Sequence, residues 1–202
     1  MYKIFTFLVS LLFVACSPHT ASIDSTMTSK GESSSMITLK KALDEYTEAT
    51  VKNDVPKLID FIYPKVFTVV SKAQMTKVLT SAYNSPNAPT VENVKHLKIE
   101  PIKSYKEGEY TIITSSMRTI LKSPKPDDSK FEAYMLEVIK KGLEGKGSVT
   151  FNRENHTYAI QHVSRTLAIK EGKEWKFAGL KQAKKYAKKG LLAPTIVEAI
   201  NQ

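Results

Sequence analysis

The chain has 202 residues, 42% hydrophobic, 9% aromatic and 25% charged, and its 30 Lys and Arg against 20 Asp and Glu leave a net charge of +10. That balance excludes an acidic disordered chain, a multi-pass membrane protein and a collagen-like or repeat array. A single cysteine excludes a disulfide framework and a cysteine-based zinc cluster within this chain.

A short basic start at residues 1–3 precedes an apolar run over residues 4–15. About a dozen apolar residues are too few to span a bilayer and match the core of a secretory signal. The run ends in Phe13-Val14-Ala15-Cys16, and Cys16 is the sole cysteine. This ending resembles a bacterial lipoprotein signal, with Phe13 where that pattern usually carries leucine. The resemblance implies removal of residues 1–15 and lipidation of Cys16, which anchors the protein to the periplasmic face of the outer membrane. Acyl chains contribute about 0.8 kcal/mol per buried methylene, so several together hold a protein on a membrane without a spanning helix. Residues 17–35 carry ten Ser or Thr and no hydrophobic periodicity. They read as a flexible tether with an r.m.s. reach of about 24 Å. Residues 36–202 are then a single domain, long enough for one core.

In that domain, Leu39, Ala42, Leu43, Tyr46 and Ala49 recur at helical spacing and predict a helix over 38–52. Asn53-Asp54 breaks it, and Asp54 caps a second helix with Pro56 in its first turn. Leu58, Ile59 and Ile62 form that helix's buried face, and Pro64 stops it. The β-branched stretch 66–70 predicts a short strand. Ser71 and Gln74 are spaced as a capping box opening a third helix, with Met75, Val78, Leu79 and Ala82 inward. After a loop at 84–89 come two long strands, 94–104 and 109–122, joined by a turn at Lys106-Glu107-Gly108. Ser129 and Glu132 repeat the capping-box spacing and open a fourth helix over 129–143, with the stripe Phe131, Tyr134, Met135, Val138 and Ile139. A hairpin of strands 156–170 and 173–180 turns at Glu171-Gly172. A basic helix and a final short one over 195–201 end the chain.

The order of helix, helix, short strand, helix and long antiparallel sheet, closing on Glu174-Trp175-Lys176-Phe177, resembles the nuclear transport factor two-like superfamily. Within it, residues 49–67, including Phe61-Ile62-Tyr63-Pro64, look most like bacterial lipoproteins of that fold. The resemblance covers residues 38–180. It implies an α+β fold in which N-terminal helices pack in the mouth of a curved antiparallel sheet, here with an inserted helix at 129–143 and a C-terminal helical tail. It also implies a cone-shaped cavity, which in ketosteroid-isomerase-like relatives holds a carboxylate base near the first strand. The corresponding stretch, residues 65–71, has no carboxylate.

Tyr46, Tyr63 and His162 are the candidate cone-lining residues; His162 and Arg165, three apart on one strand, point to opposite faces. Trp175 falls on a core-facing phase. The histidines are scattered, and no Cys pair or Asp-rich loop exists, so no metal or cofactor is assigned. The glycine-rich stretch 142–148 has the wrong order for a phosphate loop and reads as a flexible exit from the fourth helix. Beyond Ile169 the sequence carries eight lysines against three carboxylates. Lys181, Lys184, Lys185, Lys188 and Lys189 share one arc of a helix, opposite Leu180, Ala183, Ala187 and Leu191. That arc is a candidate surface for anionic lipid or an acidic partner, with a solvated lysine face as the simpler reading. The export signal excludes nucleic acid as a partner. Three functions follow as expectations. The first is a non-enzymatic, lipid-anchored domain binding a small ligand or an envelope protein. The second is an isomerase- or dehydratase-type enzyme using the cone. The third is an envelope protein touching lipid headgroups through its basic helix.

Overall fold

The computed structural model describes residues 33–201. The signal segment, Cys16 and most of the tether therefore lie outside the described residues. The described chain is an α+β domain of six α-helices and a curled six-stranded antiparallel sheet. Its helices are α1 (Ser34–Val51), α2 (Val55–Asp60), α3 (Lys72–Tyr83), α4 (Ser129–Leu143), α5 (Leu180–Lys188) and α6 (Pro194–Asn201). Its strands are β1 (Thr90–Ile99), β2 (Lys103–Tyr105), β3 (Gly108–Lys122), β4 (Gly147–Asn152), β5 (Thr157–Glu171) and β6 (Glu174–Gly179). Among the described residues no helix is long and apolar enough to cross a membrane.

Caps set the helix starts. Ser33 accepts a hydrogen bond from the Met36 amide, so α1 begins four residues before the expected 38 and takes up the end of the Ser-rich tether. The Asp54 carboxylate accepts from the Lys57 amide, with Pro56 in the first turn, and Ser71 accepts from the Gln74 amide at 3.1 Å. Residues 64–68 form a 3-10 helix, Pro64–Thr68, and not the expected strand. Pro64 stands in its first turn, where a φ fixed near −65° favours helical over extended backbone. The β-branched residues are split as a result: Val66 is buried, whereas Val69 is 42% exposed.

The sheet order is β1-β3-β5-β4, with β2 also on β3 and β6 also on β5. β3 and β5 pair without interruption from Gly108 opposite Glu171 to Lys122 opposite Thr157. The expected strand over 94–104 is two strands, because Pro101 has no amide to give the ladder and separates β1 from β2. β4 was not expected from the sequence at all. It starts at Gly147, where a Cβ would lie 2.3 Å from the Gln161 carbonyl oxygen and 2.9 Å from the His162 Cβ. Only glycine lets the two backbones come that close.

Both faces of the sheet are covered at its β6 end. On one face Leu39, Leu43, Tyr46 and Ala49 of α1 pack with Ile113, Ala168, Trp175 and Phe177. On the other, Ala183, Leu192, Ile196 and Ile200 from the α5–α6 tail pack with Tyr110, Ile112, Leu167 and Ile169. Toward the far end, Met135, Ile139 and Leu143 of the inserted α4 cover Tyr158 and Ile160. Two members of the expected α4 stripe point outward: Tyr134 is 57% exposed and Val138 also faces solvent.

Candidate ligand cavity

β6 is an edge strand, paired only with β5. Along its free side the chain leaving α2 is stitched on: the Phe177 amide donates to the Phe61 carbonyl at 2.8 Å, and Ile62 bridges Phe177 in parallel. Beyond that stitch the edge faces a cavity of about 330 Å³. β6 contributes Phe177, Ala178 and Gly179, and α1 contributes Tyr46, whose ring stacks on Phe177 at 4.7 Å. The α2 region adds Leu58 and Ile62, and the 3-10 segment with its exit adds Val66, Val69 and Val70. α3, fixed by its Ser71 cap, presents Gln74, Met75, Val78, Leu79 and Tyr83.

The last wall is α5. Gly179 caps it in extended conformation, so the chain passes from β6 into the helix without a loop. Gln182, Lys185, Tyr186 and Lys189 follow at i, i+3, i+4 and i+7, one face of the helix and its exit, and all four line the cavity. Ala183 and Ala187 turn the opposite way, into the core beneath the sheet. The lysine arc read from the sequence is thus divided. Lys185 and Lys189 border the cavity, Lys181 pairs with Glu144 at 3.2 Å, and Lys184 and Lys188 are exposed outside it.

Exposure locates the mouth. The lining residues Tyr46, Leu58, Val66, Leu79, Phe177 and Ala178 are buried and form the floor, whereas Val69, Gln74, Lys185 and Lys189 are exposed and form the rim. Burial pushes the phenols of Tyr83 and Tyr186 up from their ordinary value, which keeps both protonated at neutral pH. The residues lining the cavity include no carboxylate, imidazole, thiol or Ser/Thr hydroxyl.

Of the candidate cone residues, Tyr46 alone lines this cavity. Tyr63 packs with Val66, Tyr110 and Ile112 on the α5–α6 side of the sheet. Its hydroxyl donates to Glu171 at 2.6 Å, and Tyr105 and Lys65 bind the same carboxylate at 2.8 and 3.0 Å. Burial works to raise the Glu171 carboxyl, but these three donors together hold it below its ordinary value. The cluster ties the β5–β6 turn to the 3-10 segment and to β2.

His162 is buried opposite Met117. It lies on the face shared by α1 and α4, between Ile160 and Ser164, and burial pushes its imidazole down to about 4. His96, one of the scattered histidines set aside as metal ligands, joins α1 to the sheet. Its Nδ1 is 2.9 Å from Ser115 Oγ and its Nε2 3.4 Å from Thr47 Oγ1. Among the described residues no group of three His, Cys, Asp or Glu is placed to hold a metal ion.

Searches of protein-family models, curated proteins and solved structures return no match to this chain. The class that the fold defines is an α+β domain with helices packed on a curled antiparallel sheet, compatible with a cone-like fold.

Proposed function

We propose that this chain is a lipid-anchored, periplasm-facing binding protein of the nuclear transport factor two-like fold, non-enzymatic, with the cavity between α3, β6 and α5 as its ligand site. The observation that carries the reading is the chemistry of the walls. The cavity lies within the usual range of about 300–1,000 Å³ for small-molecule sites, and like them it is mainly apolar with a few polar groups at one end. Isomerase or dehydratase chemistry needs a base within hydrogen-bond reach of the proton it removes, and the lining supplies neither carboxylate nor imidazole. With tyrosines and lysines as its only ionisable groups, the lining favours binding over the carboxylate-based proton transfer of those enzymes.

The test is to purify the full chain from its own membrane, extract what it carries and compare it by mass spectrometry with a Val78→Trp variant, in which an indole fills the cavity. An apolar compound enriched in the parent and missing from the variant is the expected result. Equal extracts from two folded proteins would overturn the reading.

A further inference from the structure

Resting on the reading of the cavity as a binding site, we infer that its ligand is a single-chain anionic amphiphile, with an aliphatic tail in the cavity and a carboxylate or phosphate head at Lys185 and Lys189. The floor selects the tail. It is built from branched aliphatics and aromatic rings, and beside it lies half-buried Met75, a flexible thioether that adapts to a chain without fixed shape. A rigid polar ligand would leave its own groups unpaired against those walls.

The rim selects the head. Lys185 and Lys189 are exposed, lie one helical turn apart and border the mouth together. Lys65, Lys170, Lys176 and Lys181 have carboxylate partners, in Glu171, Glu109, Glu174 and Glu144, whereas Lys184 and Lys188 are exposed like Lys185 and Lys189 but lie outside the lining. No ion pair among the described residues includes Lys185 or Lys189, and the cavity lining contributes no Asp or Glu to neutralise them. Two lysines therefore border an apolar hollow whose lining holds no carboxylate, which matches an anionic head joined to an apolar tail. The position of Lys185 in the last turn of α5 suits the helix dipole, but that accounts for a lysine there and not for the hollow beside it.

The experiment places the full chain in nanodiscs of zwitterionic lipid with a dodecanoate probe carrying a terminal diazirine, or the matching dodecanol probe, each at a fixed mole fraction. Crosslinks are mapped by mass spectrometry. The dodecanoate probe should label residues 66–79 and 182–189 of the parent. The double variant Lys185→Gln/Lys189→Gln should cut that labelling about tenfold, the scale of a charge-assisted contact, while dodecanol labelling stays within about twofold. Lys184→Gln/Lys188→Gln removes the same charge from α5 outside the cavity and should change neither. Displacement by unlabelled dodecanoate or by lysophosphatidate then tells a carboxylate head from a phosphate head, and displacement by either supports the inference. If both lysine pairs weaken dodecanoate labelling equally, or neither does, the anionic head is wrong while the apolar binding site stands. If neither probe labels the cavity segments of the parent, the binding reading itself fails.

Discussion

Trp175 is 2% exposed between α1 and the sheet, its indole N–H donates to Thr38 Oγ1 at 3.2 Å, and Lys170 lies over its ring at 5.7 Å. Trp175→Ala would empty that space and should cost about 3–5 kcal/mol, a large part of the ~5–15 kcal/mol available to a domain. A shifted urea midpoint is the readout, and an unmoved one would place the ring outside the core. His162 sets a pH limit. Its imidazole falls from an unfolded value of about 6.5 to about 4 because burial penalises the charged form. The unfolded chain then takes the proton first, so this contribution is whole above about pH 6.5 and drains as pH drops toward 4, by at most about 3 kcal/mol. His162→Leu should flatten the slope of stability against pH over that interval, leaving the share of His96, which burial lowers in the same direction. An unchanged slope would mean that the imidazole is not held neutral. Gly147→Ala should cost about 1–3 kcal/mol by overpacking against Gln161 and His162, seen as a lower melting temperature. The core-facing phase of Tyr46 and Trp175 was legible in the sequence because helical and strand periods expose it directly. The cavity was not, since its walls come from residues spread between 46 and 189 and only folding brings them to one place.

Elements were legible where a side chain caps them and illegible where backbone geometry decides. Ser71 with Gln74, and Asp54 followed by Pro56, announced α3 and α2 correctly, and the caps are made to the Gln74 and Lys57 amides. The α4 cap lay one residue earlier than its motif suggested. Asp128, not Ser129, accepts from the Phe131 amide, which leaves Glu132 to meet His156 Nδ1 at 2.8 Å. Asp128→Ala should therefore cost about 1 kcal/mol, read in a thermal melt, while Ser129→Ala should move it far less. The 3-10 segment overlaps a stretch read as a strand because Val66, Val69 and Val70 crowd residues 66–70, and composition is blind to the backbone torsion that Pro64 imposes. β4 escaped for a related reason: six residues beginning with glycine, none of them buried, give too little alternation to separate from a loop. α5 separates charge from stability. Lys181→Gln, Lys184→Gln and Lys188→Gln combined should leave the melting temperature nearly unchanged, because exposed ion pairs such as Lys181 with Glu144 contribute little.

At the scale of the molecule, the anchor proposed at Cys16 would decide where the cavity works. Cys16→Ser in the full chain should leave an unprocessed precursor that takes up no labelled fatty acid, and a processed, labelled variant would sink the lipoprotein reading. With the anchor in place, protease added to intact cells should spare the protein. The tether expected at 17–35 shortens in the folded state, since α1 claims its residues from Ser34 onward. An anchor at Cys16 would then keep the mouth of the cavity within a few nanometres of the bilayer.

The unbroken pairing of β3 with β5 gives the domain a single spine. One end of β5 sits beneath α4 through Tyr158 and Ile160, and the other holds Leu167, Ala168 and Ile169 between α1 and the C-terminal helices. Chain exchange with heavy water should follow that division. Amides at the centre of β3 and β5 should exchange last, and only by global unfolding, whereas α4 and β4 should lift away earlier as one cooperative unit without disturbing the cavity. The spine also fixes the order of assembly. Its two strands are separated in sequence by all of α4 and β4, so their pairing closes a long loop and should be the slow step in refolding.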